Sequence, residues 1–196
     1  MKLTLFLSGL VAVLFAGSLL TGPAGFGPSE ALAALLRGAG EATVLVMREI
    51  RLPRAVLGLL TGASLGLAGA AMQGWLRNPL AEPGLIGVSP MASLGAVLAL
   101  QSGLVAAFAP ALPLAALGGA GLAVALLFLL SGPRGDTLTV ILAGVALSAL
   151  AGALMSLVLN LSPNPFAASE IVFWLMGSLA DRSMEHVWLA APVMVA

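Results

Sequence analysis

The sequence contains no cysteine and a single histidine, and charged residues make up only 8% of it. Without thiols the chain can form neither disulfides nor thiolate metal sites, and one histidine cannot build a histidine cluster. Lysine plus arginine equals aspartate plus glutamate, so the chain also lacks the basic surplus that a nucleic-acid partner requires. These absences argue against a metal site and against nucleic-acid binding.

The abundant residues are hydrophobic. They make up 60% of the chain, and the mean hydropathy is +1.12. An ordinary soluble domain carries about 25% charged residues, roughly three times the share found here. Backbone groups in lipid must form hydrogen bonds internally, so a chain crosses a membrane as helices or as a closed barrel. The apolar runs are continuous rather than alternating, so the sequence predicts an all-α, multi-span helical bundle in a lipid bilayer.

Charges and prolines divide the chain into apolar segments of about 20 residues, the length that crosses a bilayer. The predicted spans are about 3–20, 53–76, 86–107, 114–130, 137–160 and 187–196, with short helices at about 29–37 and 171–179. A secretory signal peptide has an apolar core of about 7–15 residues. The first segment is longer than that, so we interpret it as a retained span. Because the last span stops unfinished at Ala196, we interpret the chain as a truncated part of one transmembrane domain.

Two predicted spans carry small residues at four-residue spacing, which places a smooth stripe on one helix face. The stripes consist of Gly58, Gly62 and Gly66 in the second span, and of Gly144, Ser148, Gly152 and Ser156 in the fifth. Without bulky side chains on such a face, a neighbouring backbone can approach closely. The pattern fits static helix packing, and it also fits a face that slides or lines a translocation path. Asn160 extends the second stripe by one turn and favours a polar path.

The segment Gly62-Ala63-Ser64-Leu65-Gly66 matches the G-x-S-x-G pattern of nucleophilic serines. Such a serine needs a general base and an oxyanion hole, and the one histidine, His186, lies at a predicted membrane edge. We interpret the match as chance and expect no catalytic residue. The sequence has no G-x-x-x-x-G-K-[ST] phosphate loop and no carboxylate within a predicted span. The chain is therefore expected to carry neither an ATPase nor the usual proton relay.

Three arginines, Arg48, Arg51 and Arg54, are spaced by three residues before the second predicted span. On a continuous helix this spacing places them on one face. The arginines could anchor the helix by reaching the lipid headgroups. They could equally bind carboxylates of a partner protein through charge-assisted hydrogen bonds. The spacing alone does not choose between these interpretations.

Several blocks of the sequence resemble the FecCD family, the permeases of ABC importers for ferric siderophores, haem and cobalamin. The blocks are Arg51-Leu52-Pro53-Arg54, Gly69-Ala70-Ala71-Met72-Gln73-Gly74, Asn78-Pro79-Leu80-Ala81-Glu82-Pro83-Gly84-Leu85-Ile86-Gly87-Val88, Leu142-Ala143-Gly144-Val145-Ala146 and Trp174-Leu175-Met176-Gly177-Ser178-Leu179. Together they cover roughly residues 45–180. The last block leans towards ferric siderophores as the cargo.

The resemblance implies that the chain is the N-terminal part, about six helices, of a ten-helix type II ABC importer permease. Such a permease lies in the bacterial cytoplasmic (inner) membrane and pairs with a second copy or a homologue. Its partners are two ATP-binding cassette ATPase subunits and an extracytoplasmic substrate-binding protein. No cofactor is expected in this chain, because ATP and magnesium bind the partner ATPase.

The resemblance also implies roles for particular residues. The binding protein would dock on Arg48, Arg51 and Arg54. The translocation path would be lined by Gly144, Ser148, Gly152, Ser156 and Asn160, and the cytoplasmic gate would lie near Arg134, Asp136 and Thr137. The family motif includes Gln73, Asn78, Pro79, Glu82, Pro83 and Gly84. The segment 171–179 would be a short helix at the outer mouth.

The orientation that the resemblance implies runs against the positive-inside rule. With the N-terminus inside, the outer ends hold more arginines than the cytoplasmic ends, which keep Lys2, Arg77 and Arg134. We follow the family, because outer arginines that dock a partner explain the exception. Two other classes stay open as alternatives. An ion-coupled secondary transporter would need an ion site within the spans, and a non-transporting scaffold would have no ATPase gene beside its own.

Overall fold

The computed structural model describes residues 1–22, 24–36, 42–108, 110–132, 136–162, 165–180 and 182–195. Within these ranges the chain forms helices and turns and no β-strand. The helices are α1 (Lys2–Leu20), α2 (Pro28–Leu36), α3 (Ala42–Leu45), a π-helical turn (Val46–Arg51), α4 (Leu52–Leu76), a 3₁₀ turn (Pro83–Ile86), α5 (Val88–Gln101), α6 (Leu104–Ala107), α7 (Ala111–Ser131), α8 (Thr137–Asn160), α9 (Pro165–Leu175) and α10 (Met184–Val195). The all-α fold class predicted from the sequence is confirmed.

In the described part of the chain, four helical stretches are long and apolar enough to cross a membrane: Lys2–Leu20, Ala42–Leu76, Ala111–Ser131 and Thr137–Asn160. Two further apolar helices, α5 and α10, are shorter than 18 residues. The chain packs as two compact units. Unit 1 contains Met1–Gly66 and Ser178–Ala196, and unit 2 contains Leu67–Gly177.

The core of unit 1 joins the end of α1 to α2 and to the start of the long helical stretch. Its buried members are Leu19, Ala31, Ala34, Val44, Met47 and Ala55. Helix α2 begins at a proline, whose missing N–H costs nothing in a first helical turn. The Glu30 carboxylate reaches back and accepts the Gly27 N–H at 3.2 Å, which satisfies a donor at the helix start.

The long helical stretch of unit 1 passes straight through Pro53, where the sequence places the start of a span. Proline removes one backbone hydrogen bond, and its ring clashes with the carbonyl four residues earlier. The π turn directly before Pro53 absorbs this conflict, with the Leu52 N–H bonded to the Met47 carbonyl five residues back. The wider turn also takes the three arginines off a common face. Arg51 is buried, whereas Arg54 is exposed and Arg48 is intermediate.

Unit 2 is built around a very close crossing of α5 and α7. A Cβ atom added at Gly95 would lie 2.2 Å from the Ala115 carbonyl oxygen. A Cβ atom added at Gly119 would lie 2.2 Å from the Met91 carbonyl oxygen. The two backbones therefore touch, because a glycine on each helix faces the main chain of the other. Met91, Leu94, Ala123 and Ala151 form a buried cluster that also brings α8 into the unit.

Backbone conformation sets the ends of the shorter helices in unit 2. The segment predicted as one span, 86–107, is divided into α5 and α6, because Gly103 takes a left-handed conformation (φ +73°) between them. The short helix predicted at 171–179 is α9, which starts earlier, at Pro165, and ends at Leu175. Gly177 follows with φ +76°, a conformation that glycine adopts without strain.

Candidate functional site

The family motif of unit 2 begins with a tight turn at Asn78. The Asn78 side-chain oxygen accepts the Leu80 N–H at 2.9 Å, and the Asn78 carbonyl accepts the Ala81 N–H at 3.1 Å. Asparagine followed by proline favours such a turn, because the side chain mimics a backbone acceptor and Pro79 has no N–H to satisfy. Ala81 is consequently buried beside Met72 and Val140. The turn thus ties the end of α4 to α8.

The second half of the motif is a 3₁₀ turn that leads into α5. Glu82 is extended, and its carbonyl accepts the Leu85 N–H at 3.1 Å. A Cβ added at Gly84 would lie 3.3 Å from Oε1 of the exposed Glu82 side chain, which can shift to make room. Gly87 has φ +77° and its carbonyl accepts the Met91 N–H at 3.1 Å, which opens α5. The motif therefore sets where α5 begins.

The 3₁₀ turn rests directly on the first residue of the α8 stripe. A Cβ added at Gly144 would lie 2.6 Å from the Ile86 Cα and 2.9 Å from the Leu85 carbonyl oxygen. From the other side, a Cβ added at Gly87 would lie 2.9 Å from the Gly144 carbonyl oxygen. Two sequence blocks that are far apart along the chain, the motif and the stripe, thus form one contact of backbone on backbone.

The α8 stripe has two different environments in unit 2. Its first half is packed: Gly144 is buried, and the Ser148 hydroxyl donates to the Gly144 carbonyl at 2.9 Å. Its second half, Gly152, Ser156 and Asn160, is exposed in the part of the chain that the structure describes. The Asn160 amide donates to the Ser156 carbonyl at 2.8 Å, within the same helix. The assignment of the stripe to a translocation path stays a prediction, and the exposed half is the part able to serve it.

Gln73, in the first part of the family motif, lies near the end of α4. Its side chain is exposed on α4, and its backbone carbonyl accepts the Asn78 N–H at 3.2 Å. That bond closes the end of α4, where Arg77 takes the left-handed conformation (φ +49°). Positive φ is uncommon for a residue with a side chain, so the turn after α4 holds Arg77 in a strained position.

Arg51 is buried in unit 1 rather than exposed on its surface. It is 7% exposed, and its Nη1 donates to the Leu19 carbonyl at 3.1 Å. The guanidinium stacks on the Phe26 ring, 4.3 Å from the ring centroid, in a cation–π arrangement. Its Nη2 is buried and has no hydrogen-bond partner among the described residues. Arg51 therefore pins the connection between α1 and α2 to the π turn.

Gly22 leaves just enough space for this arginine. A Cβ added at Gly22 would lie 2.7 Å from Nη2 and 2.8 Å from the central guanidinium carbon of Arg51. Sequence reasoning missed Gly22, Phe26 and the Leu19 carbonyl as partners of Arg51. They lie about 25 to 32 residues away along the chain, and no local pattern marks them.

The other two arginines are placed differently. The Arg48 side chain donates from Nη2 to the Leu35 carbonyl at 3.3 Å, which links it to the end of α2. Arg54 is exposed one turn beyond the buried arginine. The docking role assigned to Arg48, Arg51 and Arg54 stays a prediction. By its exposure, Arg54 is the one of the three that a partner can reach without rearrangement.

The predicted gate region is described from Asp136 onward, and Arg134 lies outside the described residues. Asp136 caps α8, accepting the Thr139 N–H at 2.9 Å and also the Thr139 hydroxyl. The hydrogen bonds from Thr139, first from its hydroxyl and then from its N–H, hold the pKa of the Asp136 carboxyl below its usual value. Thr137 is the first residue of α8. This end of α8 thus carries a fixed negative charge at neutral pH.

The G-x-S-x-G serine and the one histidine have separate partners within unit 1. The Ser64 hydroxyl donates to the Met194 carbonyl at 3.4 Å, which joins α4 to α10. His186 Nδ1 accepts the Ser183 N–H at 3.3 Å and lies 3.0 Å from the Ser183 hydroxyl, at the start of α10. Each side chain stabilises a helix contact or a helix end. Among the described residues no group of three or more metal-binding side chains occurs.

Comparisons with known proteins agree with this geometry. The FecCD transport family matches residues 10–196. The cobalamin import system permease of Halobacterium salinarum is 38% identical over 162 residues, which cover 81% of this chain and 42% of the relative. The ABC transporter permease YvrB of Bacillus subtilis is 41% identical over 152 residues, which cover 75% of this chain and 42% of the relative. The chain therefore spans less than half the length of these curated relatives.

The fold is found among solved structures as well. One, assigned to the metal-chelate type of ABC transporter and captured in an inward-facing conformation, superposes with a TM-score of 0.80 at 30% identity. The superposition covers 99% of this chain and 57% of the solved chain. Three findings agree on a membrane permease of this family: the four membrane-length helices, the contact of the turn at residues 78–87 with α8, and the family match. The chain is a multi-pass membrane protein that belongs to the FecCD transport family.

Proposed function

We propose that this chain forms part of the permease subunit of an ABC importer for metal chelates: a ferric siderophore, or a related chelate such as haem or cobalamin. The observation that carries the proposal is the family match over residues 10–196. The relatives are transport permeases rather than enzymes, one of them for cobalamin, and the similar solved structure is of the metal-chelate type. The bacterial cytoplasmic membrane is the proposed location.

The residues of the chain support a proposal in which partner proteins bind ATP, deliver the chelate and complete the path. The sequence contains no phosphate-loop pattern, so ATP and magnesium would bind a separate ATPase subunit. None of the spans predicted from the sequence contains a carboxylate that could carry a coupled proton. A binding protein would deliver the chelate at the outer side, and a second permease copy or homologue would complete the path. The exposed half of α8 at Gly152, Ser156 and Asn160 is the proposed lining.

The proposal is tested by transport in proteoliposomes. The full-length permease is reconstituted together with its ATPase, and the binding protein is added outside the liposomes. Uptake of radiolabelled ferric siderophore, haem and cobalamin is then measured with and without ATP. We expect ATP-dependent accumulation of one chelate. Accumulation that requires an ion gradient instead of ATP would establish a secondary transporter, and no accumulation of any chelate would refute the proposed function.

The proposed path has its own matched pair of variants. Gly152→Leu places a bulky side chain on the exposed half of the stripe, where a Cβ would have no neighbour within 4 Å. Gly121→Leu does the same on α7, where a Cβ likewise would have none. We expect Gly152→Leu to reduce uptake while Gly121→Leu leaves it unchanged. Equal uptake by the two variants would remove the stripe from the path.

A further inference from the structure

The one histidine of the chain closes the start of α10. The Ser183 N–H donates to His186 Nδ1 at 3.3 Å, and the His186 N–H donates to the Ser183 carbonyl at 3.1 Å. Ser183 directly precedes α10, and His186 is the third residue of the helix. At that position a glutamate or glutamine commonly accepts the N–H of the residue before the helix, in a capping box. An imidazole takes the place of that side chain here, and we call the Ser183–His186 pair the histidine cap.

The histidine cap depends on a neutral ring. A backbone N–H can only donate, so Nδ1 of His186 must keep a free lone pair to accept the Ser183 N–H. In the neutral ring the proton therefore lies on Nε2, whereas in the charged ring both nitrogens carry a proton and neither accepts. Protonation turns Nδ1 into a donor, for which the Ser183 hydroxyl, 3.0 Å away, is the acceptor in reach. The Ser183 N–H then loses its acceptor.

The charges near His186 do not favour a positive ring. Arg182 Nη1 lies 3.4 Å from Nε2, so a charged ring would bring two cations into contact. Glu185 is exposed, and adjacent residues of a helix do not face each other. Leu179, just before α10, packs against α4, and the one charged residue of α4 is another cation, Arg54. The positive end of the α10 dipole lies at the same place. Proton uptake therefore removes the cap and forms no ion pair with these groups.

We propose that His186 makes the start of α10 a pH-sensitive switch, closed while the ring is neutral and opened when the ring takes up a proton in mild acid. Histidine is the side chain that ordinarily changes charge between about pH 5 and pH 8. Asp136, which caps α8, stays ionised over that range because its hydrogen bonds from Thr139 hold its pKa below 3.8. The two caps thus respond differently to the same change of pH. The inference concerns α10 and not transport, so its failure would leave the proposed function standing.

The test is hydrogen–deuterium exchange of the full-length permease in nanodiscs, measured by mass spectrometry on peptides that contain residues 183–187. Exchange is compared at about pH 8 and pH 5, the two ends of the range in which histidine titrates. His186→Gln keeps an acceptor that cannot titrate, since glutamine is a usual residue of a capping box. His186→Ala removes the acceptor at every pH. Comparing the three forms at one pH cancels the intrinsic dependence of exchange on pH.

At pH 8 the wild type should exchange as slowly as His186→Gln, and His186→Ala about fivefold faster, the effect of one capping hydrogen bond. At about pH 5 the wild type should exchange as fast as His186→Ala, while His186→Gln stays slow. Peptides at Thr139 should show no difference among the three forms. The proposal is overturned if the wild type follows the same variant at both pH values, or if the peptides at Thr139 change as well.

Two carboxylate variants complete the experiment. Glu185 is the neighbour of His186 on α10, and Asp181 lies outside the described residues. Glu185→Gln and Asp181→Asn should both keep the change between the two pH values, because the change arises at Nδ1 of the imidazole. Loss of the change in either variant would assign the switch to that carboxylate and would equally overturn the proposal.

Discussion

Gly119→Ala is the most informative single substitution, because it tests the contact on which unit 2 is built. The added Cβ would lie 2.2 Å from the Met91 carbonyl oxygen and 2.9 Å from its carbonyl carbon. Cβ atoms in proteins essentially never approach another heavy atom closer than 3.0 Å. The obstacle is main chain and cannot rotate away, so α5 and α7 would have to separate by about 0.8 Å, the shortfall from that limit.

The expected cost follows from two opposing terms. Overpacking a close contact costs typically about 1–3 kcal/mol. Replacing glycine by alanine within a helix returns up to about 1 kcal/mol through helix propensity. Gly121→Ala on the same helix gains the propensity term alone, because a Cβ there would meet nothing within 4 Å. The free energy of unfolding should therefore be lower for Gly119→Ala than for Gly121→Ala by about 1–3 kcal/mol.

The assay is reversible unfolding of the purified protein, by titration of a denaturing detergent into mixed micelles, followed by circular dichroism and tryptophan fluorescence. The double variant Gly95→Ala with Gly119→Ala adds a sharper check. Both alanines push apart the same pair of helices, so the double variant should cost less than the sum of the two single variants. If Gly119→Ala and Gly121→Ala unfold at the same denaturant concentration, the close crossing of α5 and α7 is wrong.

Four further predictions concern the charged ends of the helices. Arg54→Glu should weaken the affinity for the binding protein at least about tenfold, because the new carboxylate would repel the carboxylates of the partner. Arg77→Glu should leave that affinity unchanged. Equal affinities of the two variants in nanodiscs would rule out the docking role of Arg54. Arg51→Ala should lower the free energy of unfolding by about 2 kcal/mol through the lost charged hydrogen bond, and Arg54→Ala by less than about 0.5 kcal/mol, measured in the same unfolding assay; equal stabilities would contradict the buried site of Arg51. The folded-state pKa of Asp136 lies below its ordinary 3.8, so the stability that its cap contributes is present above pH 3.8 and is lost as the pH falls through the folded pKa. Hydrogen-exchange protection of the Thr139 N–H should therefore fall in acid in the wild type. It should not fall in Asp136→Asn, because asparagine caps the helix without titrating. Arg54→Cys, in a chain with no other cysteine, should react with a membrane-impermeant maleimide from outside the cell, and protection there would reverse the orientation.

The arginine cluster shows where reasoning from spacing fails. A spacing of three places Arg48, Arg51 and Arg54 on one helical face, provided that the helix is a regular α-helix. The π turn before Pro53 breaks that condition, and it leaves Arg48 half-buried, Arg51 buried and Arg54 exposed. Proline was visible in the sequence, but the usual expectation is a helix start. The buried cluster of unit 1 includes Val44 and Met47 before Pro53 and Ala55 after it, so the helix continues through the proline and a wider turn takes up the misfit.

The sequence by itself determined that the chain is an all-α membrane protein, because so few charges and such long apolar runs leave no other way to satisfy the backbone. It also determined the family, since the motif from Asn78 to Val88 is local, and its turn depends on asparagine, proline and glycine at fixed positions. Only the tertiary structure decided that this turn rests on Gly144, and that Arg51 lies inside unit 1 against Leu19 and Phe26. Those contacts join residues far apart in the chain, and a side chain's nearest neighbours along the sequence do not reveal the backbone that packs against it.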